Sequence, residues 1–159
     1  MGALGTAMSG GKGVEPVQLD QLKPFLPENF AGLARTNTRS ERSGVQGLMS
    51  AKVQGVYGDA SGKQVDLEVV DTGGVGGLMG LAAWAGVIGE KEDDSRIERT
   101  RKEGTRVVHE EISKTGGSNK YSLILADRFA VSARGSGVDI NTLKSGVNGL
   151  DLGKLEAMK

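Results

Sequence analysis

The chain contains no cysteine, which rules out disulfides, thiolate nucleophiles and cysteine-ligated metals. His109 is its only histidine, so no pair of histidines can share a metal. His109-Glu110 opens the zinc-protease helix motif, but Ser113 stands where the second histidine belongs. Aromatic residues are scarce, with one Trp, two Tyr and three Phe, too few for a base-stacking platform. Charge of one sign is also lacking, because twenty basic residues balance twenty acidic ones. A nucleic-acid binder draws much of its affinity from a basic excess that neutralises phosphates, so nucleic acid is not expected as a partner. No apolar run reaches the ~20 residues that a bilayer-spanning helix needs.

Glycine is plentiful, at 26 of 159 residues, and it implies many tight turns and an entropy cost that the core must offset. The length suits one domain with a proper core. A hydrophobic fraction of 37% with 25% charged residues fits a globular chain. Residues 1–13 (MGALGTAMSGGKG) read as a flexible glycine-rich tether ahead of a single domain over 14–159. The tether has neither the basic n-region nor the apolar h-region of a signal peptide. Its Gly2 and Thr6 fit the permissive myristoylation pattern, a match that glycine-rich starts give by chance. Met1 is read as a start downstream of a removed export signal or lipid anchor.

The pattern predicts an α+β fold: an antiparallel sheet of about six or seven strands with an N-terminal helix, a glycine-rich crossover helix and C-terminal helices packed on it. Leu19, Leu22 and Leu26 share one face of a short helix bounded by Pro24 and Pro27. A polar strand suited to an edge is expected near Leu33–Arg42. A second follows with Ala51, Val53, Gly55 and Tyr57 in phase. The clearest strand alternates Val65, Leu67 and Val69 with Gln64, Asp66 and Glu68, one face buried and one wet. Four more strands are read over Arg96–Lys102, Thr105–Lys114, Lys120–Leu125 and Arg128–Arg134, and Glu90–Ser95 is read as a charged loop. Tyr121, Leu123 and Leu125 should answer Phe129, Val131 and Ala133 across an Ala126-Asp127 turn. Asp139 and Asp151 are placed to cap two C-terminal helices.

The segment from Gly73 to Gly89 carries no charge. It follows a strand, where a dinucleotide loop would sit, but counted from Gly74 and Gly76 the last glycine of the fingerprint is replaced by Met79. Gly62-Lys63 fails as a phosphate loop at Tyr57 and Gln64. No G-x-S-x-G elbow accompanies His109, and Glu92, Asp93 and Asp94 do not follow calcium-loop spacing. No catalytic, cofactor-binding or metal-ligating residue is therefore assigned, and the chain is read as no enzyme. Two features could meet a partner. Leu78, Leu81, Trp84 and Val87 belong to the uncharged segment, which either packs flat on the sheet or offers Trp84 as an anchor. Arg96, Arg99 and Arg101, with Lys102 and Arg106, form a basic cluster interrupted by Glu98 and Glu103, suited to an anionic partner or to cross-strand charge pairs on a wet sheet face.

Three stretches, VEPVQLDQLKPFLPENFAGLART, YGDASGKQVDLEVVDTGG and DRFAVSARGSGVDINTLKSGVNGLDLGKLEAMK, resemble a family of uncharacterised bacterial proteins that are often exported or lipid-anchored in the cell envelope. The order of elements is also similar, more loosely, to PsbP-like α/β/α sandwiches. The resemblance implies a periplasmic or membrane-anchored protein, tethered through an N-terminal anchor, and carries over no catalytic residue, since its motifs are turns and caps. The function expected is a non-enzymatic protein-binding module. The alternatives are an inhibitor or immunity protein that neutralises a secreted toxin or hydrolase, and a carrier of a small apolar ligand.

Overall fold

A computed structural model describes residues 15–45, 48–73 and 88–158 of the chain. A short helix α1 (Leu19–Leu22) runs into a 3₁₀ turn, Lys23–Phe25, and then into strands β1 (Asn29–Phe30), β2 (Leu33–Val45), β3 (Leu48–Gly58) and β4 (Gln64–Asp71). Strands β5 (Gly89–Glu92), β6 (Arg96–Glu103), β7 (Arg106–Ser113), β8 (Asn119–Leu125) and β9 (Phe129–Ser136) follow, and helices α2 (Ile140–Asn148) and α3 (Leu152–Glu156) close the order. All nine strands form one antiparallel sheet in the order β1-β2-β3-β4-β9-β8-β7-β6-β5. Two meanders thus meet where β4 pairs with β9.

Period-two alternation sets the buried face. Val65, Leu67 and Val69 of β4 have no exposed surface. They stand opposite Tyr57, Gly55 and Val53 of β3 on one side, and Leu67 and Val69 meet Ala133 and Val131 of β9 on the other. Leu125, Leu123 and Tyr121 of β8 carry the layer on, paired with Phe129, Val131 and Ala133. The helices supply the second layer of the same core through Leu22, Phe25, Leu143, Val147, Leu152 and Leu155. Helix α2 lies on β8 and β9, and α1 lies on β2 and β3. Asp139 caps α2 by accepting from the Thr142 N–H, and Asp151 caps α3 by accepting from the Lys154 N–H. No helix among the described residues is long and apolar enough to cross a membrane.

The architecture corrects the expected six or seven strands with a glycine-rich crossover helix and packed C-terminal helices. The described residues form mostly one nine-stranded antiparallel sheet, and the helices among them are short: four residues in α1, nine in α2 and five in α3. A crossover is a requirement of parallel strands. β4 and β5 lie five antiparallel steps apart in the sheet and so run in opposite directions, and joining them needs none. The anticipated helix itself, like the tether at residues 1–13, falls outside the described residues apart from its ends. Two strands escaped the sequence reading. β1 is only two residues long. β5 is exposed along its whole length and sets charged residues against those of β6, with Glu90 opposite Arg99 and Lys91 opposite Glu98, so no apolar alternation marks it. The N-terminal helix breaks early because Pro24 sits in the first turn of the 3₁₀ segment.

One buried ion pair joins three parts of the chain. Arg128 Nε and Nη2 donate to Asp71 Oδ1 and Oδ2 at 2.7 and 2.9 Å, the forked geometry that suits guanidinium to carboxylate. Asp71 is fully buried and Arg128 is 7% exposed. The backbone N–H groups of Val17 and Gly73 donate to the same carboxylate at 2.7 and 2.8 Å. Arg128 also donates to the carbonyl of Glu15, and its own carbonyl accepts from the N–H and hydroxyl of Thr72. The chain leading into α1, the end of β4 and the β8–β9 turn are therefore fastened at one point.

Helix α3 is held by a second forked pair, with Arg106 Nη2 and Nε on Glu156 Oε1 and Oε2 at 2.6 and 3.2 Å. Those bonds hold the Glu156 carboxyl below its ordinary value. A carboxylate depressed in the folded state adds stability above its unfolded pKa, and that stability is lost as pH falls through the folded value. For this partly exposed pair the contribution is about 0.5–1 kcal/mol, present at neutral pH and lost progressively below about pH 4.3. The unfolding free energy from urea titration at pH 7 should fall by that amount in Glu156→Gln, while at pH 3 the variant and the parent should converge.

Candidate functional site: the open edge of strand β2

β2 reads LARTNTRSERSGV, and only Leu33 at its start is buried. A strand without apolar alternation has no face to give to a core, so it settles where burial is least, at the side of the sheet. Its inner side pairs with β3 along the whole strand. Its outer side pairs with β1 only at Leu33 and Ala34, and the Arg35 N–H adds one further bond to the carbonyl of Glu28. From Thr36 to Val45 no strand among the described residues lies on that outer side.

The direction of the outward backbone groups follows from the ladder. A register shift at Thr36 separates Arg35 from Asn37. Thr38 donates its backbone N–H to the Asn37 side chain at 2.9 Å, so that group points away from β3. Backbone groups alternate in direction along a strand, and Ser40 and Arg42 therefore also turn theirs toward the open edge.

Beside this edge lies a groove of about 620 Å³, lined by Lys23, Pro24, Leu26, Glu28, Arg35, Thr38, Arg39 and Ser40. Its far wall is the turn that leaves the 3₁₀ segment. Two side chains of the sheet fix that wall. Tyr57, with no exposed surface, donates its hydroxyl to the Pro27 carbonyl at 2.6 Å, and burial pushes its pKa up. Arg35 donates Nη1 to the Leu26 carbonyl at 2.9 Å and to the Pro27 carbonyl at 3.4 Å. Among the described residues Arg35 and Arg39 have no carboxylate partner, while Lys23 is held by Asp20 at 2.8 Å. The groove thus sets three cations against the single carboxylate of Glu28, with Pro24 and Leu26 as its apolar floor. Chemically it offers a row of backbone donors and acceptors, two uncompensated guanidinium groups and a small apolar surface.

Among the described residues, none of those singled out from sequence lines this groove. Leu78, Leu81, Trp84 and Val87 fall outside the described residues. Arg96, Arg99 and Arg101 sit on β6, and alternation divides them. Arg99 and Arg101 share the face of Glu110, at 3.8 and 3.2 Å, and Arg99 also meets Glu90 while Arg101 meets Glu103. Arg96 pairs with Glu111, whose other neighbour is His109 at 3.6 Å. Each arginine of the expected basic cluster is already matched by a carboxylate, and an anionic partner would have to displace one. Sequence reasoning missed Lys23, Arg35 and Arg39 as a group, although the signal was present in the uninterrupted polar run of β2. Comparison with protein-family models, with curated proteins and with solved structures finds no match to this chain.

Proposed function

We propose that the chain is a non-enzymatic protein-binding module of the bacterial cell envelope that engages its partner through the open edge of β2. The observation that carries this reading is the stretch from Thr36 to Val45, whose outward backbone groups border a formed groove. Strand addition to such an edge draws affinity from main-chain hydrogen bonds and specificity from the flanking side-chain pockets. The envelope location rests on the family resemblance of the three stretches quoted above.

Ser40→Pro tests the edge directly. Proline removes an N–H that faces outward and leaves the β2–β3 ladder intact, the one setting in which a strand tolerates it. The variant should melt within a few degrees of the parent. In a pull-down from envelope extract, a partner that the parent retains and cross-links to β2 should be lost by Ser40→Pro. Equal retention by both proteins would sink the edge as the site, and a wholly cytosolic native protein on fractionation would sink the location.

A further inference from the structure

Resting on that reading, we propose that the partner contributes an extended, acidic segment that adds to the β2 edge as a further antiparallel strand. Three observations converge on this chemistry. The outward N–H and C=O groups of Thr38, Ser40 and Arg42 recur at every second residue, the spacing that an extended backbone matches and a helix does not. The groove beside them is shallow in apolar surface, with Pro24 and Leu26, so it suits small side chains and not a large aromatic anchor. Its charge is unbalanced toward the positive. Arg35 is pinned by the carbonyls of Leu26 and Pro27 and Arg39 has no carboxylate partner among the described residues, so two guanidinium groups await carboxylates. Lys23 is met by Asp20 and Arg42 by Glu15, which confines the free positive charge to the stretch between Arg35 and Arg39. Glu28 and Glu41, the acidic residues closest to it in the chain, are outnumbered by Lys23, Arg35, Arg39 and Arg42, and the positive excess disfavours a segment carrying lysine or arginine.

A second copy of this chain is a poorer occupant. Two β2 edges brought together would gather the unmatched Arg35 and Arg39 of both copies at one seam against a single Glu41 from each, and that surplus of like charge disfavours the pair.

The test uses the full chain and an end-blocked peptide of about ten residues, alternating glutamate with threonine and valine, long enough to span the open stretch. Amide exchange followed by NMR should show new protection at Ser40 and Arg42 and none on β6. The same peptide with lysine in place of glutamate should bind at least about tenfold more weakly, and Arg39→Glu should weaken the acidic peptide by about tenfold, as loss of an opposite-charge pair and gain of a like-charge one implies. Protection on β6, or equal binding of the lysine peptide, would overturn the proposal. Protection of β2 without peptide that rises with protein concentration would replace it with self-pairing. If neither peptide protects β2 while capture of a protein partner stays sensitive to Ser40→Pro, the acidic strand is wrong and the edge reading stands. If capture is also insensitive, both fall.

Discussion

Asp71→Asn is expected to lower the free energy of unfolding by about 3–5 kcal/mol, because it leaves the Arg128 guanidinium buried without its counter-charge. The substitution conserves volume, so packing loss contributes little. The asparagine oxygen can accept from only part of the set that now converges on the carboxylate, namely two Arg128 bonds and the N–H groups of Val17 and Gly73. In a chain of this size such a loss corresponds to a fall in Tm of about 10 °C. Urea titration and calorimetry both report it. A loss below about 1 kcal/mol would show that the pair is compensated by solvent and does not behave as a buried one. Replacing both partners by apolar residues of similar size, Asp71→Leu with Arg128→Met, should cost less than the sum of the two single changes, since no charge is then stranded. The residual cost would belong to the Val17 and Gly73 N–H groups, which lose their acceptor in either case.

That clamp shows why part of the fold was legible in the sequence and part was not. Alternation over Gln64–Val70 needs no distant information, and Val65, Leu67 and Val69 are buried as the pattern indicates. The facing of Tyr121, Leu123 and Leu125 with Phe129, Val131 and Ala133 is likewise local, because a short turn sets its register. There Ala126 and Asp127 both adopt positive φ, 54° and 52°, as tight hairpin turns require. The caps at Asp139 and Asp151 are local as well. What composition could not reveal is pairing across distance. Asp71 and Arg128 are 57 residues apart, and nothing in either neighbourhood marks the other. Strand β5 reads as a loop in the sequence because its side chains are all exposed, and its place in the sheet rests on a backbone ladder with β6 that no apolar pattern marks. The basic cluster was visible in the sequence, but its neutralisation by Glu90, Glu103, Glu110 and Glu111 required the register of β5, β6 and β7. The candidate site depended on the same kind of information. A polar strand is legible as an edge, but the groove beside it exists only because Tyr57 and Arg35 hold the Leu26–Glu28 turn at that distance.

Gly146→Val is expected to lower stability by about 3 kcal/mol, even though valine is a slightly better helix former than glycine. Two effects of opposite sign compete at this position. Within α2 the gain in intrinsic propensity is a few tenths of a kcal/mol for valine and about 1 kcal/mol for alanine. Against it stands the ring of Phe30, which crosses the helix at the glycine. A Cβ placed there would lie 2.6 Å from Cζ, 2.9 Å from Cε2 and 3.0 Å from Cε1, all inside normal contact. The ring has little room to retreat, being 3% exposed and tilted against Tyr57 with centroids 5.7 Å apart. Overpacking of this kind costs about 1–3 kcal/mol and grows with each added carbon, so alanine should show a net loss of about 1 kcal/mol and valine the full effect. Trimming the obstacle tells this account from a generic helix defect. In a Phe30→Leu background the penalty of Gly146→Val should shrink by at least about 1 kcal/mol, a coupling that a double-mutant cycle in urea reads directly. If Gly146→Ala instead stabilises the protein by its full propensity gain, the close approach of α2 to β1 is wrong. The contact matters beyond stability, because Phe30 belongs to β1, and the turn that walls the β2 groove leads directly into β1. Valine at position 146 should therefore also weaken the binding of an acidic strand, whereas substitutions on β6 should leave that binding unchanged.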